Sequence, residues 1–404
     1  MYVDNDVEHE IIHIMKYDFD TPIERYGTNS AKWDGADRAL GGEGLLPMWV
    51  ADMDFRAPEP ILAAARRVVD LGVFGYGYTP PSYNEAVSAW MRRRHGWEVW
   101  PEWIVFTPGV VPALNFAVQA FTAPGEGVLV QTPVYYPFFQ AITNNQRRIV
   151  DSPMVLRGGR FTLDPDGLEK KITPQTRLLL LCSPQNPTGR VWSPEELAEV
   201  GEVCLRHNVI IFSDEVHQDI VFPGRRHLPF PMLGERFARS CLVGTGASKT
   251  FNLAGLQMSS IIIPDEALRK QFKEAVTRSA QTFPNIFAIS VCETAYRQGE
   301  EWLEELLVYL AGNLAFLREY LRLSLPAIRL LEPEATYLVL LDCRGLGLPP
   351  ERLKTFMRRE ARVGTEDCTI FGMQEVGFER MNIACPRSQL KAALDRITVA
   401  VNRL

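Results

Sequence analysis

Six short apolar runs punctuate the middle of the chain: Trp103–Thr107, Gly127–Gln131, Arg177–Ser183, Val209–Ser213, Cys241–Gly244 and Ser259–Ile263. Each has the length of a strand, is flanked by proline, glycine or polar residues, and several lack the alternation of a half-exposed strand. Helical patterns lie between them. Pro112–Phe121 is one, and Pro194–His207 is another, preceded by Ser193 and opened by Pro194 and a pair of glutamates, which are start signals for a helix. Strands buried on both faces and separated by helices predict an α/β fold with a mainly parallel sheet covered on each side.

The pattern changes after about Phe287. Glu300–Leu323 reads as a long helix with a break near Gly312, followed by a strand at Tyr337–Asp342 and helices at Pro350–Arg362 and Ser388–Leu404. This predicts a smaller C-terminal α+β domain. The expected division of the 404 residues is an N-terminal segment, 1–45, packing with the small domain, a large domain, 46–290, and the small domain, 291–404.

Composition narrows the function classes. Lys and Arg number 43 against 49 Asp and Glu, a formal charge of −6, and a phosphate-neutralising surface would need a basic excess. No nucleic-acid partner is expected. No apolar run approaches the ~20 residues of a spanning helix, so no membrane is expected either. Met1–Glu10 carries Asp4, Asp6, Glu8 and Glu10 rather than a basic leader, which points to a cytoplasmic protein. The seven cysteines are scattered, with no CxxC pair. Neither a disulfide framework nor a metal site is expected.

Four segments carry chemistry. Ser183-Pro-Gln-Asn186-Pro-Thr-Gly189 follows a buried strand and presents the Asn186 amide at its C-terminal end, where ligands bind in open α/β sheets. Ser213-Asp214-Glu215 ends another strand; Asp214 is either a helix cap or a buried functional acid. In Thr245-Gly-Ala-Ser248-Lys249, a lysine follows a buried strand among small residues, a place where burial lowers its pKa toward a usable nucleophile. Thr107-Pro-Gly109-Val110-Val111 is a strand-to-helix junction, whose free N–H groups make an anion seat. An ordinary loop, a cap, a snorkelling lysine and a plain helix start would explain each alone. Together they supply the parts that hold pyridoxal 5′-phosphate.

The order of these segments resembles the fold-type I pyridoxal-phosphate enzymes of the aspartate aminotransferase superfamily. Further motifs are similar to the MalY/PatB family of cystathionine β-lyases and C–S lyases: Ser30-Ala-Lys-Trp-Asp34, Pro47-Met-Trp49-Val-Ala-Asp52-Met-Asp54-Phe55, Gly109-Val-Val-Pro, Ser248–Gln257 and Arg380-Met-Asn382-Ile-Ala-Cys-Pro386. The family-like sequence begins at Met15. The resemblance implies a mainly parallel seven-stranded sheet between helices in the large domain. It implies that Lys249 bonds the cofactor aldehyde and acts in catalysis, that Asp214 pairs with the pyridine nitrogen, and that Asn186 contacts the phenolic oxygen. Gly109, Val110, Val111 and Ser248 would hold the phosphate, and Tyr135 would stack on the ring. Arg380 would take the substrate α-carboxylate, with Asp52 also on the substrate side. Tyr136 is a candidate for orienting substrate or moving a proton, although packing explains either tyrosine as well.

Phe74-Gly-Tyr76-Gly-Tyr78 resembles a loop that reaches the neighbouring subunit's phosphate. That implies a homodimer with shared sites, through Tyr76 or Tyr78. Two positions depart from the wider superfamily: Gln257 stands where many members carry a cation, and His217 where many carry tyrosine. Both fit the lyase branch. The implied reaction splits a cysteine thioether into pyruvate, ammonia and a thiol. An aminotransferase would use the same residues, and a regulatory protein of this fold that binds a partner is a further alternative.

Overall fold

The structure, a computed structural model, describes residues 15–404; the acidic start, 1–14, lies outside the described residues. Its centre is a seven-stranded sheet of β1 (Ile104–Thr107), β2 (Gly127–Val130), β3 (Arg148–Asp151), β4 (Thr176–Cys182), β5 (Ile210–Asp214), β6 (Cys241–Thr245) and β7 (Ser259–Ile262). The spatial order is β1-β7-β6-β5-β4-β2-β3, and only β7 runs against the others. Leu178 to Leu181 are all buried, as a doubly covered parallel strand requires. The strand absent from the sequence reading is β3, at the sheet edge. Arg148 and Ile149 are exposed there, so the continuous apolar signal is missing.

Helices α1 (Glu59–Leu71), α2 (Pro81–His95), α3 (Val110–Phe121), α4 (Pro194–Arg206), α5 (Glu266–Arg278) and α6 (Ile286–Gln298) cover the sheet. Ser193 and Glu196 form a reciprocal capping box at the start of α4, as the Ser-Pro-Glu-Glu start suggests. α3 lies close against β6 because Gly244 has no side chain. A Cβ there would meet the Phe212 ring at 2.9 Å and Val110 Cγ1 at 3.1 Å.

A second, antiparallel sheet orders β8 (Arg329–Leu331), β9 (Leu338–Asp342), β11 (Phe378–Asn382) and β10 (Glu366–Asp367) in that sequence. Two long helices, α7 (Glu300–Ser324) and α8 (Arg387–Val401), pack together on it. The break expected near Gly312 does not occur. A buried stripe of Leu310, Leu314, Leu317 and Leu321 continues through it, and the Arg387 guanidinium fills the space a Gly312 side chain would take. The helix expected over Pro350–Arg362 is α-helical only to Thr355, then widens into a π-turn, Phe356–Glu360. The expected boundary at residue 290 falls inside α6, which packs on α1 and α2.

The segment from residue 15 to 45 is tied to both sheets' surroundings. Phe19 packs on Trp302 and Tyr309 of α7, and Leu46–Pro47 pairs in parallel with Val363–Gly364. Its Arg25 reaches Asp52 and Asp54, which fixes the 49–54 loop over the C-terminal ends of the large sheet.

Candidate active site

The strand ends converge on a cavity of about 160 Å³, lined among others by Ala51, Gly109, Tyr135, Asn186, Asp214 and Lys249. Val110, Val111, His217, Ser248 and Gln257 share its wall. The site residues expected from β1, β4, β5 and β6 therefore meet in one place.

At one end of the cavity, Gly109 adopts φ +132°, and α3 begins directly after it without a side-chain cap. A residue with a Cβ rarely takes that conformation. The first bond of the helix is Ala113 N–H to Gly109 O, at 3.2 Å. The Val110 and Val111 N–H groups are left without an intrahelical acceptor, which makes a seat for an anion. The Ser248 hydroxyl lies on the same wall.

Two groups of unusual basicity line the same cavity. Asp214 closes β5, and burial pushes its carboxyl up to about 7, against the Val216 N–H and the charge of Lys249. The Val216 N–H donates to Asp214 Oδ1 at 3.2 Å. Burial lowers Lys249 to about 8; the Asp52 charge opposes this and the Arg380 charge adds to it. The Lys249 ammonium donates to the Ala51 carbonyl at 2.7 Å, and the Tyr337 hydroxyl donates to the same oxygen at 3.0 Å.

Asn186 is buried, and its Oδ1 accepts from Arg380 Nη1 at 2.7 Å. That contact fixes the amide, leaving its NH₂ as the free donor. Arg380 is also buried, with the Phe371 ring 4.7 Å from its guanidinium carbon. Its Nη2 donates to the Trp49 carbonyl at 3.1 Å and pairs with Glu366, while its Nε has no partner among the described residues. Tyr135 lines the cavity, and Tyr136, half-buried, packs beside it with ring centroids 5.3 Å apart.

Two expected residues stand apart. Asp52 is held by the segment before it: Arg25 bonds both its oxygens, at 3.1 and 2.9 Å, and Lys32 lies at 3.5 Å. Its charge reaches Lys249, but its oxygens are already engaged. Tyr76 is 92% exposed, with its ring 5.5 Å from Phe283, outside this chain's cavity. Sequence reasoning missed Ala51, whose contribution is a backbone carbonyl, Tyr337, read only as the start of a packing strand, and Glu366, in a two-residue strand that was not read at all. His217, given no role from sequence, faces the cavity with Nδ1 enclosed and unpartnered. Burial and the charges of Lys249 and Arg380 hold its ring neutral.

The donor set fits pyridoxal 5′-phosphate. An anion seat, an amide donor, a buried carboxylate and an amine of lowered pKa complement a phosphate, a phenolic oxygen, a pyridine nitrogen and an aldehyde in turn. Among the described residues no group of side chains is arranged to hold a metal, and no helix is long and apolar enough to cross a membrane.

Known proteins of this shape agree. Residues 50–397 match the family described as aminotransferase class I and II. The chain is 43% identical over 385 residues to cystathionine beta-lyase PatB of Bacillus subtilis, covering 95% of this chain and 100% of that one. It is 30% identical over 388 residues to protein MalY of Escherichia coli, covering 95% and 99%. The crystal structure of cystalysin from Treponema denticola, which contains pyridoxal 5′-phosphate, superposes with a TM-score of 0.92 at 35% identity, covering 96% of this chain and 100% of that one. The chain therefore belongs to the aminotransferase class I and II family of fold-type I pyridoxal-phosphate enzymes, in its MalY/PatB C–S lyase branch.

Proposed function

We propose that this protein is a pyridoxal-phosphate-dependent C–S β-lyase that splits cystathionine or a related cysteine thioether into pyruvate, ammonia and a thiol. The observation that carries the reading is Lys249, a buried amine lowered to about 8, sharing one cavity with Asp214, Asn186 and the open N-terminus of α3. The relatives named as cystathionine β-lyases favour elimination over amino transfer.

The bound cofactor supplies an electron sink that lets a proton leave Cα and a thiolate leave Cβ. The Val110 and Val111 N–H groups and Ser248 would hold its phosphate, with no side-chain cation at Gln257. Asp214 would keep the pyridine nitrogen protonated, Asn186 would donate to the phenolic oxygen, and Tyr135 would pack against the ring. Arg380 anchors the substrate α-carboxylate, which turns Cα toward Lys249. With the cofactor bound, Lys249 would be the base within reach of the Cα proton. Tyr136, packed beside Tyr135, would orient the thioether.

Dimerisation belongs to the same reading. Leu71, Val73, Phe74, Tyr76, Tyr78 and Phe283 are all exposed, and Phe74 stacks on Phe287 at 5.9 Å. A contiguous apolar surface of this kind favours a partner, here a second copy whose phosphate seat receives Tyr76. The enzyme works in the cytoplasm on this reading, which its buried, free cysteines support. Turnover of S-substituted cysteines with and without an added keto acid tests the whole proposal: a requirement for the keto acid would make the protein an aminotransferase.

A further inference from the structure

Arg380 and Glu366 face each other across the β10–β11 pair, in direct register. Both are buried, and they form an ion pair through Arg380 Nη2. The second Nη2 hydrogen serves the Trp49 carbonyl at 3.1 Å, and Nη1 serves Asn186 at 2.7 Å. Nε has no acceptor. A guanidinium offers a carboxylate two double-pronged edges, Nε with Nη2 and Nη1 with Nη2. Both run through Nη2, and both Nη2 hydrogens are spent.

The unpartnered Nε marks which edge awaits a ligand. For that edge to open, either the Trp49 carbonyl or Glu366 must yield. The Trp49 carbonyl is backbone, held between Met48, whose N–H donates to the Gly364 carbonyl at 2.8 Å, and Val50, whose carbonyl accepts from Asn382 Nδ2 at 2.6 Å. Glu366 is the side chain free to turn away. Once a second carboxylate shares the guanidinium, two like charges meet in a buried place, and one of them is disfavoured.

We infer that Glu366 competes with the substrate α-carboxylate for Arg380, and that it releases Nη2 and takes a proton from solvent each time the substrate docks. The inference rests on the reading of Arg380 as the carboxylate anchor. It makes Glu366 a positioning residue that sets how substrate affinity varies with pH.

The surroundings favour this. Burial pushes Glu366 above the usual carboxylate range, opposed by Arg380 and by Arg358 of the π-turn. Glu379 beside Arg380, Asp367 on its own strand, Cys368 just after it, and Tyr135 and Tyr136 across the site complete the titratable groups facing it. Glu379, pushed up to about 8 by burial, bonds Thr365 at 2.7 Å and makes no bond to Arg380.

The test uses the cofactor-loaded enzyme and 3-(methylthio)propionate, a thioether acid with no amino group to react. Calorimetric titration in two buffers of different ionisation enthalpy counts the protons exchanged. Wild type should take up about one proton per ligand near about pH 8, and its affinity should fall as pH rises, because binding consumes a proton. Glu366→Gln should abolish the uptake, flatten the pH slope and tighten binding several-fold at about pH 8. Glu379→Gln should keep the uptake. No uptake by wild type, full uptake by Glu366→Gln, or uptake lost in Glu379→Gln would each overturn the inference. Arg380→Ala separates the two ideas: if it binds the acid as wild type does, the anchor itself is misassigned.

Discussion

Lys249 Nζ donates to the Ala51 carbonyl at 2.7 Å, across 198 positions of sequence. The contact joins the end of β6 to the loop that Arg25 holds over the sheet. It gives a buried amine one directed partner while burial lowers its pKa to about 8. An amine in that state is neutral over part of the working pH range and is aimed into the cavity.

Cofactor uptake by the apo-protein should therefore quicken as pH rises through about 8, since only the neutral amine attacks an aldehyde. An ordinary lysine would show that rise near its usual value of 10.5. Borohydride should then fix the cofactor to Lys249, and peptide mapping reads the position. An adduct on another lysine would remove Lys249 from its assigned role. Lys249→Ala should retain cofactor weakly and lose nearly all turnover.

The fold's core and the site's strand-end residues were legible in the sequence for one physical reason. Buried parallel strands write unbroken apolar runs, and Asn186, Asp214 and Lys249, which line one cavity, stand where those runs stop. What escaped had no such signature. β3 is an exposed edge, the Ala51 carbonyl has no side chain to read, and Glu366 becomes visible only when β10 is paired with β11. Asp52 fits the motif around it, yet its oxygens are engaged by Arg25 from a segment with no strong pattern of its own.

Asp214 should trade stability for cofactor binding. Its carboxyl is raised by burial to about 7 from 3.8, so the apo-fold binds a proton that the unfolded chain has lost. Stability of the apo-protein should fall as pH rises from about 4 to 7 and then level off. Asp214→Asn should raise apo stability above that window by on the order of 2–4 kcal/mol, while cofactor affinity drops. Thermal melts of apo wild type and variant across pH check the sign. A variant less stable than wild type at neutral pH would contradict it.

The exposed Phe74–Tyr78 loop should make the sites interdependent. Lys249→Ala and Tyr76→Ala are each expected to be nearly inactive as homodimers. Mixed dimers would contain one site with both residues intact, so mixing the two inactive proteins under subunit exchange should restore up to about a quarter of wild-type activity. If Tyr76 acts within its own subunit, or not at all, mixing yields no recovery.

The outcome that decides the reaction class is what becomes of the electron pair left when Lys249 takes the Cα proton. With a thioether on Cβ, expulsion of thiolate needs no second substrate. Pyruvate, ammonia and thiol should then appear in equal amounts, because each elimination frees one thiol and one aminoacrylate, which water converts to pyruvate and ammonia. An amino transfer would instead stop after a single half-reaction without a keto acid. On the proposed role of Arg380 as carboxylate anchor, either route needs it, so Arg380→Ala should lower kcat/KM whichever route operates. Losing a charge-assisted carboxylate pair costs on the order of 2–4 kcal/mol, roughly 30- to 1,000-fold. Product stoichiometry on cystathionine, measured without an acceptor, distinguishes the routes directly: multiple turnovers to pyruvate establish the lyase, and their absence alongside keto-acid-dependent turnover establishes the aminotransferase.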